Sequence, residues 1–223
     1  LCKLQIEQFY RYYRELIEWN TRVNLTTVTD WNLVQTRHFL DSLSLKTVLS
    51  SYALNHCHVI DVGSGAGFPG IPLKIAYPNL ELTLVDSVRK KTAFLEHVSQ
   101  ALDLHNVTVI TGRAETLAHN PSLRAHFDLV TSRALAKLPV LAELTLPFCR
   151  LNGLTVLHKG PNVSDELISA HDAISKLGGH LCQIADAPIF PLSIPGRFVS
   201  IKKKKDTLDL YPRRPGVPSK RPL

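Results

Sequence analysis

Residues 59 to 72, VIDVGSGAGFPGIP, hold four glycines within eight residues, between an apolar run and a helical pattern. A strand feeding a helix through such a loop brings backbone N–H groups up to a ligand. Asp61 stands two residues before the first glycine, and Asp86 ends the next apolar run, LELTLVD. Asp61 to Gly67 fits the pattern acidic-x-Gly-x-Gly-x-Gly at every position. In that reading Gly63, Gly65 and Gly67 receive the amino-acid end of S-adenosylmethionine, and Asp86 accepts hydrogen bonds from its ribose hydroxyls. Gly65 to Gly70 also satisfies GxGxxG, with Asp86 close to where a ribose-binding acid falls. A nicotinamide-dependent oxidoreductase therefore stays open, although it needs a substrate acid or base that no residue pattern supplies.

Further along, Gly112-Arg113-Ala114-Glu115 follows an apolar run where the adenine of such a cofactor would lie. Phe127-Asp128-Leu129-Val130 starts another run and leads to Thr131-Ser132-Arg133-Ala134. Ligands bind at the carboxyl ends of strands in open α/β sheets, and these segments reach that edge together. Arg133 is thus the candidate for orienting acceptor or cofactor, with no certain catalytic residue beside it. Asp128 reads as a strand-start turn residue. His38 and Asp41 share a helix face and could enter the site or simply bond along the helix surface. Lys159 could meet substrate phosphate. Arg89-Lys90-Lys91 could touch RNA phosphate but reads first as solvated helix. Tyr10, Tyr12 and Tyr13 could stack bases, although Tyr10 and Tyr13 share the apolar helix face and read as core.

Methyl acceptors leave marks of their own. No Asp/Asn-Pro-Pro-aromatic motif follows Val130, and no Pro-Cys dipeptide offers a nucleophile. An acceptor with an exposed lone pair needs neither device, and guanine N-7 is one. Alignment could then supply most of the rate.

These residues need a scaffold of alternating strands and helices. Strands are predicted at 58–62, 80–85, 107–111, 127–131, 153–158, 181–187 and 197–203, and helices at 70–77, 88–102, 138–148 and 165–177. Residues 115–126 read as either a short helix or a loop. Such alternation argues for a mostly parallel sheet covered on both faces, its last strand antiparallel. Before it, Ile6, Phe9, Tyr10, Tyr13, Leu16 and Ile17 form one apolar helix face. Asp30 caps a second helix holding Val34, Phe39, Leu40 and Leu43. The expected organisation is a single domain over 1–223: a helical cap at 1–55, a Rossmann-like core at 56–205 and a basic, proline-rich tail at 206–223.

With 223 residues, 44% hydrophobic and 20% charged, the chain reads as an ordinary globular domain. No apolar run approaches the roughly 20 residues of a membrane span. The first thirty residues lack a signal-peptide core, so a cytoplasmic location is expected. The chain starts at Leu1 and has no Met, so initiator residues are expected to be absent. Four scattered cysteines and the alternating His56-Cys57-His58 predict reduced thiols and no metal site. A monomer is expected. Of the net charge of +7, +6 falls between residues 202 and 223. Lys202, Lys203, Lys204, Arg213, Arg214, Lys220 and Arg221 are the candidate RNA contacts, against the alternative of a solvated terminus. Prolines at 212, 215, 218 and 222 predict an extended end.

Taken together, the chain resembles the bacterial 16S ribosomal RNA guanine-N-7 methyltransferases, also called glucose-inhibited division protein B. The resemblance runs through Trp19-Asn20-x-x-Val23-Asn24-Leu25-Thr26, His38-Phe39-Leu40-Asp41-Ser42-Leu43, VIDVGSGAGFPGIPLKI, VDSVRKKTAFLEHV, Arg113-Ala114-Glu115, Ser132-Arg133-Ala134 and the ending from Tyr211-Pro212-Arg213-Arg214 to Leu223. It implies a class I S-adenosylmethionine-dependent methyltransferase fold, with cofactor contacts at Gly63, Phe68, Ala114, Glu115 and Arg133. It also implies methyl transfer to guanine N-7 in 16S ribosomal RNA, with S-adenosylhomocysteine as product and naked RNA or an assembling small subunit as partner. A noncatalytic RNA-binding assembly factor, and a small-molecule methyltransferase, are the remaining alternatives.

Overall fold

The computed structural model describes residues 1–49, 54–133, 136–187 and 196–223. Seven strands form one sheet: β1 (His58–Val62), β2 (Glu81–Asp86), β3 (Val107–Thr111), β4 (Phe127–Arg133), β5 (Cys149–Lys159), β6 (Gly179–Asp186) and β7 (Arg197–Lys203). Their order is β3-β2-β1-β4-β5-β7-β6. Only β7 runs antiparallel to its neighbours. This is the predicted α/β architecture of class I S-adenosylmethionine-dependent methyltransferases. The order reverses between β1 and β4, where a crevice opens at the carboxyl ends of the strands.

Alternation along β1 explains the layering. Val59 joins an apolar cluster with Leu82, Leu84 and Phe94 on one face, while Ile60 and Val62 pack with Val85, Phe127 and Val130 on the other. Both faces are covered, so the strand needs no polar side and reads as a nearly continuous apolar run. The helices supplying that cover include α4 (Gly70–Ala76), α5 (Arg89–Ala101), α6 (Ala114–Leu117), α7 (Leu138–Thr145) and α8 (Ser164–Lys176). The ambiguous 115–126 stretch resolves into α6 and turns.

The N-terminal helices differ from expectation in detail. In the helix Lys3–Asn20 (α1), the buried residues are Phe9, Tyr12 and Leu16, whereas Ile6 and Tyr10 are exposed. A 3–4 spacing puts residues 9, 12 and 16 on one line, and Tyr12 in its middle reaches the glycine loop at the Ala66 carbonyl. Asp30 caps α2 (Trp31–Val34) as predicted, accepting from the Leu33 N–H at 3.0 Å. The chain continues through a π-helical stretch, Gln35–Leu40, into α3 (Asp41–Leu43).

The basic end requires correction. Residues 206–223 pack against the core and include a short helix, Val217–Lys220 (α9), instead of extending. Lys203, a predicted RNA contact, is buried; its ammonium donates to the Leu146 and Leu177 carbonyls at 2.8 and 3.1 Å and bonds the Thr207 hydroxyl. Leu146 and Leu177 cap the C-terminal ends of α7 and α8. Lys203 adds a donor to carbonyls that also accept the Cys149 N–H and the Thr207 hydroxyl, respectively, so the lysine serves as a buried cap. Burial lowers its pKa to about 8. Arg213, the second such residue, is bound to the fully buried Glu143 at 2.6 Å. Among the other predicted contacts, Lys204, Arg214, Lys220 and Arg221 are exposed, and Lys202 lies half-buried in β7.

Candidate active site

At the crossover, the sheet edge carries a cleft of about 200 Å³ lined by Gly63, Asp86, Ser87, Ala114, Glu115 and Ser219, among others. Asp86 ends β2 and points at the glycine loop. Its Oδ2 accepts from the Gly65 N–H at 3.0 Å and its Oδ1 from the Val88 N–H at 2.8 Å. A carboxylate offers about four lone-pair sites, so capacity remains for ribose hydroxyls.

The loop itself works differently from the sequence expectation. The N–H groups of Gly63 and Ser64 both donate to the Val85 carbonyl, and that of Gly67 donates to Ser64. With Gly65 bonded to Asp86, these amides are already used. The glycines are needed for backbone shape and approach. Gly65 has φ +59°, and a Cβ there would stand in open space, its nearest neighbour being the Gly63 carbonyl oxygen at 3.9 Å. At Gly67, φ is +96° and a Cβ would come within 2.8 Å of the Tyr12 hydroxyl. The rigid loop, the acid behind it and the open space beside it fit the adenosine and amino-acid portions of S-adenosylmethionine.

Glu115 forms the far end of the cleft. Its Oε1 accepts from the Gly216 N–H at 3.0 Å and from Arg113 Nη2 at 2.9 Å. Burial acts to raise its pKa, but the Gly216 N–H, its own N–H and Arg113 bring it below the usual value.

The remaining predicted cofactor residues do not line this cleft. Asp61 lies beneath the loop, fully buried, accepting from the Gly70 N–H at 3.1 Å and from the Thr131 hydroxyl at 3.4 Å. Burial pushes its pKa up to about 7. Phe68 stacks on His38, ring centroids 4.5 Å apart. Arg133 reaches the N-terminal cap: its Nη2 donates to the Arg37 carbonyl at 2.7 Å, and its Nη1 lies 3.0 Å from Asp41 Oδ2. His158, paired with Arg133 across β4 and β5, puts Nδ1 3.1 Å from the same oxygen.

In this second group the charges meet without aligned hydrogen bonds. Among the described residues, both Asp41 oxygens, Arg133 Nη1 and His158 Nδ1 are buried and lack a hydrogen-bond partner. Burial raises Asp41 to about 6 despite Arg133. Burial and Arg133 lower His38 to about 4 and His158 to about 3, so both imidazoles are neutral near pH 7. Thus His38 and Asp41 point into the sheet edge, and Tyr12 completes the ring by donating to the Ala66 carbonyl at 2.5 Å.

Sequence reasoning missed His158, Glu143 and Ser219. Only Glu143 left a signal: it is the one charged residue in the apolar run LPVLAELTLPF, which demands a buried partner. Lys159 is committed to Glu166 at 2.8 Å and to the Ala136 carbonyl. Asp128 accepts from the His58 N–H at the opposite sheet edge, as its structural reading required. Ala134 lies outside the described residues.

A family model described as "GidB: rRNA small subunit methyltransferase G" matches residues 5–187. The chain belongs to this family. It is 48% identical to "Ribosomal RNA small subunit methyltransferase G" of Roseiflexus sp. (strain RS-1), covering 100% of this chain and 94% of that protein. The protein of the same name from Dehalococcoides mccartyi (strain ATCC BAA-2100) is 43% identical, with the same coverage. Membership in a methyltransferase family removes the oxidoreductase and noncatalytic readings. Solved structures share the fold at low identity. A mutant of MtNAS in complex with S-adenosylmethionine superposes with TM-score 0.59 at 18% identity, over 91% of this chain and 73% of that one. A Klebsiella pneumoniae protein described as a putative O-methyltransferase superposes with TM-score 0.57 at 14% identity, over 87% of this chain and 90% of that one.

Proposed function

We propose that this protein transfers a methyl group from S-adenosylmethionine to N-7 of a guanine in 16S ribosomal RNA, releasing S-adenosylhomocysteine. The reading rests on family membership together with one observation: the glycine loop, Asp86 and Glu115 converge on a single cleft at the sheet's switch point. Gly63, Gly65, Gly67, Asp86, Ala114 and Glu115 would hold the cofactor, with Asp61 bracing the loop from below. The bound cofactor supplies an electrophilic methyl on a sulfonium centre. Guanine N-7 attacks with a lone pair already in the ring plane, so the protein removes no proton beforehand. Its task is alignment, which can contribute about 7–11 kcal/mol when geometry is well fixed.

Phe68, Arg133 and the cap residues His38 and Asp41 border the acceptor side, with Arg133 in a positioning role. Lys204, Arg214, Lys220 and Arg221, exposed on the C-terminal segment, would meet RNA phosphate. Single-stranded or loop RNA suits the reaction, because a duplex buries N-7 in a deep, narrow groove. The protein acts as a single-domain monomer in the cytoplasm, on naked RNA or an assembling subunit.

The test is incubation with methyl-labelled S-adenosylmethionine and small-subunit RNA from cells lacking the modification, digested and scored for 7-methylguanosine. Label at one guanine, lost with Asp86→Ala, is the expected result. No label on RNA or on subunits, despite cofactor binding, would reject the acceptor.

A further inference from the structure

The cleft has a wall that the family resemblance does not assign to the cofactor. Residues 211–220 cross from the β7 side to the far end of the cleft, tied down at four points. Arg124 Nη1 donates to the Tyr211 carbonyl at 2.9 Å, and His119 Nε2 bonds the Pro212 carbonyl at 2.8 Å. Arg213 grips Glu143 with its backbone N–H at 2.8 Å, Nε at 2.9 Å and Nη2 at 2.6 Å. Gly216 N–H closes on Glu115. These anchors sit on α7 and beside α6, the elements that carry Leu144, Ala114 and Glu115 into the cleft. Beyond them Pro218 is buried and Ser219 is exposed on the cleft lining. A solvated tail would need none of these bonds.

We propose that residues 212–220 form the outer wall of the cofactor site and that Ser219 contacts the adenine end of the bound cofactor. This rests on the functional reading above, in which the segment after β3 receives adenine. The wall gives Glu115 a second role. Its carboxylate holds Gly216 in place, so the residue positions Ser219 as well as bordering the cleft. It also explains a basic terminus that is ordered: Arg213 fastens the wall, while Arg214, Lys220 and Arg221 stay on its outer surface.

Ser219→Trp is the decisive variant, because an exposed side chain can be enlarged without disturbing the core. Binding of S-adenosylhomocysteine and of 5′-methylthioadenosine, which lacks the amino-acid end, is measured calorimetrically beside thermal unfolding. We expect both ligands to weaken at least tenfold and by similar factors, with an unchanged melting temperature. Arg214→Ala, on the outer surface, leaves both affinities within twofold of wild type. Wild-type affinity in Ser219→Trp removes the wall from the cofactor site while leaving the cofactor reading intact. Failure of the wild type to bind S-adenosylhomocysteine overturns the cofactor reading and this proposal with it.

Discussion

Glu143 with Arg213, and Asp41 with Arg133, are both carboxylate–guanidinium pairs whose carboxylate is almost wholly buried, yet they are built in opposite ways. Glu143 receives the backbone N–H, Nε and Nη2 of one arginine, with side-chain distances between 2.6 and 3.2 Å. Asp41 meets Arg133 and His158 at 3.0 and 3.1 Å, but among the described residues neither oxygen has a well-directed hydrogen bond. The first pair satisfies its charge and fastens the chain terminus. The second leaves polar atoms unpaired in a low-dielectric pocket, an arrangement that costs stability and is found where function requires it. Good geometry marks the fastening, and poor geometry marks the cluster that we propose borders the acceptor.

Breaking the satisfied pair has the largest expected effect. Arg213→Ala leaves Glu143 fully buried without its cation, and breaking a buried pair this way costs about 3–5 kcal/mol. Denaturant unfolding at pH 7.5 measures it. Arg133→Ala strands Asp41 in the same sense, but that carboxyl already sits near pKa 6 and can take up a proton instead. Its loss of stability at pH 5.5 is therefore smaller than that of Arg213→Ala. Equal losses would erase the distinction between the pairs.

Asp86 supplies a third kind of carboxylate, satisfied by backbone alone and still open to the cleft. Asp86→Ala frees the Gly65 and Val88 N–H groups and removes the proposed ribose acceptor. Two orphaned donors cost about 1–3 kcal/mol each if they stay dry, less where cleft water reaches them. S-adenosylhomocysteine binding should weaken about 100-fold, read by calorimetry on protein whose fold is checked by circular dichroism. Retained affinity would mean that the glycine loop keeps its shape without the acid.

What the sequence made legible divides along the same line. The strands, the glycine loop and Asp86 were readable because their signals are local: a period-two apolar run, a turn that tolerates positive φ, an acid at a strand end. The contacts that were missed join residues far apart. Arg213 meets Glu143 across 70 positions, and Arg133 meets Asp41 across 92. A run of lysines and arginines gives the net charge of a segment but no partner. Lys203 was therefore grouped with solvent-facing cations although β7 turns it onto the carbonyl ends of two helical segments. Tyr12 was obscured for a related reason. Tyr10, Tyr12 and Tyr13 span two sides of one helix, and only the position of the glycine loop decides which ring is buried.

Titration offers a finer test of the unsatisfied cluster. His38 and His158, lowered to about 4 and 3, hold fewer protons folded than unfolded between pH 4 and 6, so they make stability rise with pH. Asp41 and Asp61, raised to about 6 and 7, hold more protons folded and make stability fall over the same window. The two pairs offset one another. Asp41→Asn removes one falling contribution, so the variant's stability should rise between pH 4.5 and 5.5 by about 1.1 kcal/mol more than wild type's does. Urea unfolding at both pH values provides the comparison, and parallel profiles would mean that Asp41 titrates at an ordinary carboxylate value.

The smallest effect separates the inside of the C-terminal wall from its outside. Lys220 is exposed on the short helix that carries Ser219, so Lys220→Ala should leave folding and S-adenosylhomocysteine affinity unchanged. As a phosphate contact it should weaken RNA binding severalfold at low salt and reduce the slope of log K against log salt by about 0.7, the value for one charge on single-stranded RNA. Lys203→Ala is the internal contrast: it should lower the unfolding midpoint, because the Leu146 and Leu177 carbonyls and the Thr207 hydroxyl lose the buried ammonium that joins them, while leaving the salt slope alone. A salt slope that changes with Lys203 and stays fixed with Lys220 would invert this assignment, and would show that RNA reads the wall from its core-facing side.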